Sequence, residues 1–325
     1  MSINHCLRTL TLLLGIVLMT TNSRALQQES MNPGPPSGRP TFRASVELVV
    51  LNVTVLDARK RFMIGLGSED FAVYENGVQQ DVVFFGLAEV PIDLALLLDL
   101  SSSMTETITL VRKAAAGFLR TLREHDRATV IGFANRLQIL QPLTDNMERL
   151  ERAIQQAQPH GSTALYDAVY ITLKELERER KRATDVRRQV LVVLSDGHDT
   201  VSISSAEDAL AAVHRSGVTV YTVALKEPAT ASGSPSMSQS AFESDFTLKA
   251  LARDSGGRAF SVDTIAQLPG VYDAIAAEVA HQYVLGYIPR GRPSDRTFQQ
   301  VRVQLGSRSD VQEVRTRRGY YAAER

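Results

Sequence analysis

The sequence predicts an α/β protein built on a doubly wound, mostly parallel sheet, with flanking β-strands that form a smaller β-sandwich-like domain. Three observations lead there. Residues 94–98, 128–133, 190–194 and 218–223 are short apolar runs, the pattern of strands covered on both faces. Between them lie segments with apolar residues at helical spacing, as in Ile108, Val111, Ala115, Phe118, Leu119 and Leu122. Both ends of the chain instead alternate at period two, with Val49, Leu51, Val53 and Val55 early and Val301, Val303 and Leu305 late.

The first 25 residues read as a secretory signal peptide. Arg8 precedes an apolar run over residues 10–19, too short to span a bilayer comfortably, and Ser23-Arg24-Ala25 supplies the cleavage site. The protein is therefore expected to be exported, to the periplasm or as a secreted protein; an uncleaved anchor is the competing reading and the only route to a membrane. Cys6, the one cysteine, lies before the apolar run and leaves with the signal. That removes disulfides, cysteine metal sites and cysteine catalysis from consideration. Acidic and basic side chains balance at 36 each, so no overall field favours nucleic acid or an anionic membrane. Any partner must be recognised locally.

Residues 26–42 carry Pro33, Pro35, Pro36 and Pro40 with few apolar side chains and read as a linker. Residues 43–89 form an N-terminal β segment: a strand over 46–56, a charged turn at 57–61, a strand over 71–74, the Asn76-Gly77 hairpin signal, and a strand over 81–85. The sequon Asn52-Val53-Thr54 lies inside a strand, which argues against glycosylation. The α/β domain spans 90–282, with further expected elements as follows: a strand over 137–140 before Pro142, helices over 150–157, 164–180 and 206–214, a Ser/Ala/Pro-rich insertion over 226–240, a helix over 246–253, a strand over 259–262 and a helix over 265–279. Residues 283–325 form a C-terminal β segment, expected to pack with 43–89 because each piece alone leaves an apolar face uncovered. The cluster Arg315, Arg317, Arg318 reads as charged protection of an edge strand, an anion site being the alternative.

Alternating strands and helices imply a crevice at the strands' carboxyl edge, where such sheets bind ligands. Three motifs fall there. Asp99-Leu-Ser101-Ser-Ser103 follows the first apolar strand and brings a carboxylate and two hydroxyls onto one tight loop. His160-Gly-Ser-Thr163 opens a helix and offers a third hydroxyl, and Asp196 follows a buried strand and offers a second carboxylate. Hard oxygen donors of this kind suit a Mg²⁺-sized cation. Each hydroxyl has a simpler reading as a helix cap, and Asp196 as a turn residue.

Together the three motifs resemble the metal-ion-dependent adhesion site (MIDAS) of von Willebrand factor type A (VWA) domains, including integrin inserted domains, in the family's order and at similar spacing. The match runs through Asp99-x-Ser101-x-Ser103, His160-Gly-Ser-Thr163-Ala-Leu-Tyr-Asp167 and Leu194-Ser-Asp196-Gly197. The flanks, including Glu69-Asp-Phe71-x-Val-Tyr-Glu-Asn-Gly77 and Gln282-Tyr-x-Leu-Gly-Tyr287, are similar to exported VWA-related proteins described mainly from Acidobacteria. The resemblance implies that Ser101, Ser103 and Thr163 ligate a divalent ion, Mg²⁺ with Mn²⁺ or Ca²⁺ as alternatives. It further implies that Asp99 and Asp196 hold the ion directly or through water, and that an Asp or Glu carboxylate of a protein partner binds at an open position.

Asp167, His198 and Asp199 are candidates to support these ligands by hydrogen bonds. Asp167 has an alternative as a helix-terminal charge, and Asp199, with Thr200, as turn chemistry. The expected function is a non-enzymatic binding module for adhesion or envelope assembly. His198 or His160 acting as a base on metal-bound water would make the protein a hydrolase instead, and a metal that merely fixes loops would make it a scaffold. No phosphate loop, His-Glu-x-x-His or Gly-x-Ser-x-Gly motif is present.

Overall fold

A computed structural model describes residues 48–87, 90–196, 199–225, 235–291, 297–306 and 311–322, with backbone alone at 235–242 and 244. The expected signal peptide and linker lie outside the described residues. In chain order the elements are β1 (Val49–Asp57), β2 (Phe71–Glu75), β3 (Val78–Gln80), β4 (Val82–Gly86), β5 (Ile92–Asp99), α1 (Ile108–Leu119), β6 (Arg127–Phe133), β7 (Leu137–Thr144), α2 (Met147–Gln156) and α3 (Leu165–Arg182). They continue with β8 (Arg188–Ser195), α4 (Ala206–Ser216), β9 (Thr219–Leu225), α5 (Pro235–Ser255), β10 (Ala259–Val262), α6 (Leu268–Ala280), β11 (Tyr283–Tyr287), β12 (Phe298–Leu305), β13 (Val311–Arg315) and β14 (Gly319–Tyr321). Among the described residues no helix is long and apolar enough to cross a membrane.

The main sheet has the order β10-β9-β8-β5-β6-β7, parallel except for the β6–β7 pair. The doubly wound architecture expected from the apolar runs is therefore present. Successive side chains of β5 enter opposite layers: Leu94, Leu96 and Leu98 join a core with α1, α2 and α6, while Ala95 and Leu97 join one with α3, α4 and α5. Both faces are covered, which is why β5 and β8 are buried along their whole length. After β6 and β7 the chain crosses to the other side of β5 to form β8. The carboxyl ends of β5 and β8 thus flank the point where strand order reverses.

Strands from the two ends of the chain pair with one another in two antiparallel sheets, β13-β1-β11-β4 and β14-β12-β2-β3. The sheets share one apolar core that includes Leu51, Val53, Phe71, Val73, Tyr283, Leu285 and Val301. Glu75, buried in β2, accepts hydrogen bonds from Tyr287 of β11 (2.6 Å) and Tyr320 of β14 (2.9 Å), and so links the sheets through a satisfied polar group.

Four local expectations are corrected. The Asn76-Gly77 turn, with φ of 49° and 83°, closes a hairpin between β2 and β3, whereas β4 leaves that sheet and pairs with β11. The strand expected to stop at residue 140 runs on as β7 through Pro142 to Thr144; on an edge strand the missing N–H leaves no ladder bond unmade, and register shifts against β6 absorb the irregularity. The helix expected over 246–253 begins at Pro235, inside the stretch read as an insertion; residues 226–234 lie outside the described residues. The helix expected from residue 265 starts as a 3₁₀ turn, Ile265–Gln267, and becomes α6 at Leu268, with Pro269 in its first turn where no N–H is needed.

Leu285→Ala, at a fully buried position of the core shared by the end strands, is expected to lower unfolding free energy by about 2–5 kcal/mol. Ile203→Ala, at a 97% exposed position, is expected to change it by less than about 0.5 kcal/mol. Urea unfolding followed by circular dichroism measures both.

Candidate functional site

Strand β5 ends in Asp99, which is completely buried. An unsatisfied carboxylate there would be strongly unfavourable, and the structure satisfies both oxygens. Oδ1 accepts the Ser101 backbone N–H at 2.8 Å and Oδ2 accepts the Ser195 hydroxyl at 2.6 Å. Because Ser195 ends β8, this second bond staples the two strands together at the reversal point. Burial pushes the Asp99 carboxyl up to about 6, with Asp196 adding to the push; the bonds from Ser101 and Ser195 pull the other way.

The loop then turns upward. Ser101 and Ser103 hydroxyls lie 2.8 Å apart, and the Ser103 hydroxyl donates to Asp196 Oδ2 at 2.5 Å. Ser103 is exposed and Ser101 buried, so the chain of oxygens runs from the interior to solvent. The capping alternative fails for this loop, since Ser101 begins the 3₁₀ turn Ser102–Met104 without a side-chain cap bond.

Backbone bonds draw the neighbouring loops to the same edge. Ser102 N–H donates to the Gly161 carbonyl (3.0 Å) and His160 N–H to the Leu100 carbonyl (2.6 Å). Gly161 takes a positive φ of 69° where Asn135 approaches, and the Asn135 side chain accepts the Ser162 N–H. Thr163 follows, 4% exposed, its backbone exchanging bonds with Thr200: the Thr163 N–H donates to Thr200 Oγ1 (3.0 Å) and the Thr200 N–H donates to the Thr163 carbonyl (2.8 Å). The structure therefore brings Asp99, Ser101, Ser103 and Asp196 into one bonded chain. Thr163 is placed on the adjoining loop; among the described residues no hydrogen bond joins its hydroxyl to the serine pair.

The supporting acids have different employment. Asp199 Oδ1 accepts the N–H groups of Leu165 (2.7 Å) and Tyr166 (3.3 Å), and so caps α3 from a distant loop; α3 has no side-chain cap of its own. The Ser202 hydroxyl donates to the same oxygen at 2.5 Å. Asp167 accepts the N–H groups of Ile203 (3.0 Å) and Ser204 (2.8 Å). Burial pushes Asp167 upward, but the bonds from Ser204 and from the Ile203 backbone outweigh it and hold the carboxyl below its ordinary range. Both acids brace the loop over residues 199–204. His198 lies outside the described residues, as does Gly197. His160 is exposed, with Nδ1 2.9 Å from the Gln158 carbonyl.

Sequence reasoning missed Ser195, although a hydroxyl closing an apolar run beside Asp196 was a visible signal. It also missed the bracing roles of Ser202 and Asn135, which only the meeting of distant loops creates. Among the described residues no group of three or more His, Cys, Asp or Glu gathers as a metal cluster. A cation here would be held by two carboxylates and by hydroxyls.

A family model for the von Willebrand factor type A domain matches residues 93–274, more than half of the chain, from the start of β5 into α6. The chain belongs to the von Willebrand factor type A family. No curated protein matches it. Solved VWA structures resemble it distantly. The vWF domain of the type V pilus tip protein Mfa5 from Porphyromonas gingivalis is 15% identical with a TM-score of 0.46, covering 63% of this chain and 99% of that domain. A von Willebrand factor type A protein from Catenulispora acidiphila is 11% identical with a TM-score of 0.45, covering 86% and 75%. Proximal thread matrix protein 1 from the mussel byssus, solved with a zinc-occupied MIDAS motif, is 15% identical with a TM-score of 0.46; the match covers 63% of this chain and only 49% of that one, about half its length. Membership rests on the family model and not on these distant likenesses.

Removing the Asp199 cap is expected to destabilise the VWA domain by about 1–2 kcal/mol in Asp199→Ala. Asp199→Asn retains an acceptor and should recover most of that loss while leaving cation affinity unchanged. Urea unfolding and calorimetric titration with MgCl₂ check the two parts.

Proposed function

We propose that this VWA protein is an exported, non-enzymatic binding module that holds a divalent cation at Asp99, Ser101, Ser103, Thr163 and Asp196 and presents it to an Asp or Glu carboxylate of a protein partner. The observation that carries this reading is the bonded chain Ser101–Ser103–Asp196, with spacings of 2.8 and 2.5 Å. A six-coordinate Mg²⁺ with metal–oxygen distances of about 2.1 Å keeps neighbouring ligand oxygens about 3 Å apart, so these hydrogen-bonded donors need part by only about 0.5 Å or less to take adjacent coordination positions. The donor set fits the ion in charge as well. Two carboxylates balance a divalent cation formally and the hydroxyls add none, which leaves the bound ion electrophilic toward a further acid. Mn²⁺ and Ca²⁺ accept the same donors.

Each residue has a part in this. Ser101 and Ser103 would ligate directly, and Asp196 at the rim would ligate directly or through water. Asp99, with one lone pair of each oxygen already committed to Ser101 and Ser195, would hold the loop and act on the ion from beneath. Thr163 would join from the adjoining loop, whose position is set by Thr200. The similarity of the flanking motifs to exported VWA-related proteins, together with the signal-like residues 1–25, supports export to the periplasm or beyond. Adhesion or assembly of an envelope complex is the corresponding role.

Ser101→Ala and Asp196→Ala are each expected to abolish Mg²⁺ binding in calorimetry while keeping the circular dichroism spectrum; unchanged Mg²⁺ affinity in both would overturn the site. A pull-down from the native envelope fraction with wild type and Asp99→Ala, in Mg²⁺ and in EDTA, tests the partner. Capture should require both the ion and Asp99. Metal-dependent turnover of ester, phosphate or peptide substrates would replace this reading with a hydrolase, and chelation that lowers the melting temperature without changing capture would replace it with a scaffold.

A further inference from the structure

At the far end of the sheet a cleft of about 1010 Å³ opens between the end of α3, the start of β8, β1 and β14. Arg188 opens β8 and Ser195 ends it, so the strand's length, roughly 23 Å, separates this cleft from the oxygen cluster. Its wall carries seven cationic side chains and two carboxylates, in a chain whose acidic and basic residues balance at 36 each. Lys174 and Lys181 share Glu177, and Arg187 pairs with Asp93 and Asp185. Arg180, Arg215 and Arg317 make no direct ion pair among the described residues; Glu177, Asp208 and Glu75 respectively act on them only from beyond ion-pair distance.

Two of these guanidinium groups converge. At Gly217, whose φ of 70° ends α4, an added Cβ would stand 3.1 Å from Arg317 Nη1 and 3.4 Å from Arg180 Nη1. The two Nη1 atoms flank one point, close enough for a single oxyanion to bridge. Arg180 Nη1 also donates to the Ser216 carbonyl (2.8 Å), which fixes its place. Arg317 stacks over the Tyr320 ring, 5.1 Å from its centroid, and its buried Nε has no hydrogen-bond partner among the described residues. Arg215 lies over the Tyr321 ring at 5.4 Å. Burial, opposed by Tyr287, Tyr320 and the Glu75 carboxylate and reinforced by the like charge of Arg180, pushes Arg317 down to about 10, so it remains cationic at neutral pH. The edge-strand reading does not hold for Arg317, which lies between β13 and β14 and lines the cleft.

We propose that this cleft binds a multiply charged oxyanion clamped between Arg180 and Arg317, with Arg215 on its wall. Guanidinium groups suit that chemistry because their donors form planar forks matched to oxyanion geometry. The cleft is larger than a single phosphate needs, so an anion with two or more charged groups fits it better.

Calorimetric titration of the purified protein with sodium pyrophosphate, after divalent ions have been stripped from protein and buffer on a chelating resin so that no cation at the opposite edge and no soluble chelator contributes, should show saturable binding. Arg180→Gln and Arg317→Gln should each weaken it at least tenfold. Arg149→Gln, an equal loss of charge at an exposed position on α2, should leave it unchanged. If Arg317→Gln does not fold, Arg180→Gln and Arg215→Gln decide. A citrate arm distinguishes a polycarboxylate from a phosphoryl source, and binding of either that is lost in the cleft variants supports the proposal. Absence of binding of both at millimolar concentration, or an equal loss in Arg149→Gln, overturns it.

Discussion

Everything at the carboxyl edge of the sheet depends on how one fully buried carboxylate is satisfied. Asp99 sits at the end of β5, flanked by β8 and β6, where water cannot solvate it. Its bonds to Ser101 N–H and Ser195 hydroxyl do two things at once. One folds the loop back over the strand end, and the other locks the loop to β8 across the point where strand order reverses. With the turn fixed by backbone and carboxylate, the hydroxyls of Ser101 and Ser103 are not consumed in capping and face each other. A site of oxygen donors emerges from the requirement to satisfy a buried charge.

The other acids near this edge show why the cluster holds only two carboxylates. Asp199 is spent on the N–H groups that open α3, and Asp167 on the backbone of residues 203 and 204. Each bond uses a negative charge where a helix start or a tight loop leaves donors without partners. The result is a braced rim around the oxygens that adds rigidity without adding a further carboxylate to the cluster. For the proposed cation site this matters, because a third or fourth carboxylate in direct contact would over-neutralise a divalent ion.

The sheet was legible because burial on two faces leaves a plain mark: β5 and β8 are apolar runs without the alternation of a half-exposed strand, and too short for an ordinary buried helix. Elements at the periphery were less legible. The extension of β7 through Pro142 depends on its being an edge strand, which is a property of the neighbours and not of the residues. The division of Val78–Gln80 from Val82–Gly86 between two sheets likewise depends on where β11 and β12 lie. At the site, Asp99, Ser101, Ser103 and Asp196 were readable from spacing after strand ends. The employment of Asp167 and Asp199 was not, because the N–H groups they accept belong to segments more than 30 residues away.

At the opposite end of the molecule, ordinary charge placement and excess charge stand side by side. Helix C-termini attract cations, and Arg180, Lys181 and Arg182 in the last turn of α3, with His214 and Arg215 in that of α4, are where the helix dipole favours them. Arg180 answers this description completely, since it donates to the last-turn carbonyl of Ser216. Arg317 does not. It belongs to no helix, contacts no carboxylate among the described residues, and stands beside Arg180 with its Nε buried and without a partner. Two like charges held together by packing on Tyr320 and by a carbonyl bond raise the energy of the empty cleft, and an oxyanion bound between their Nη1 atoms removes that repulsion. An apolar or neutral residue at 317 would pack against Tyr320 without this penalty, so the arginine is better explained by what it binds than by what it stabilises.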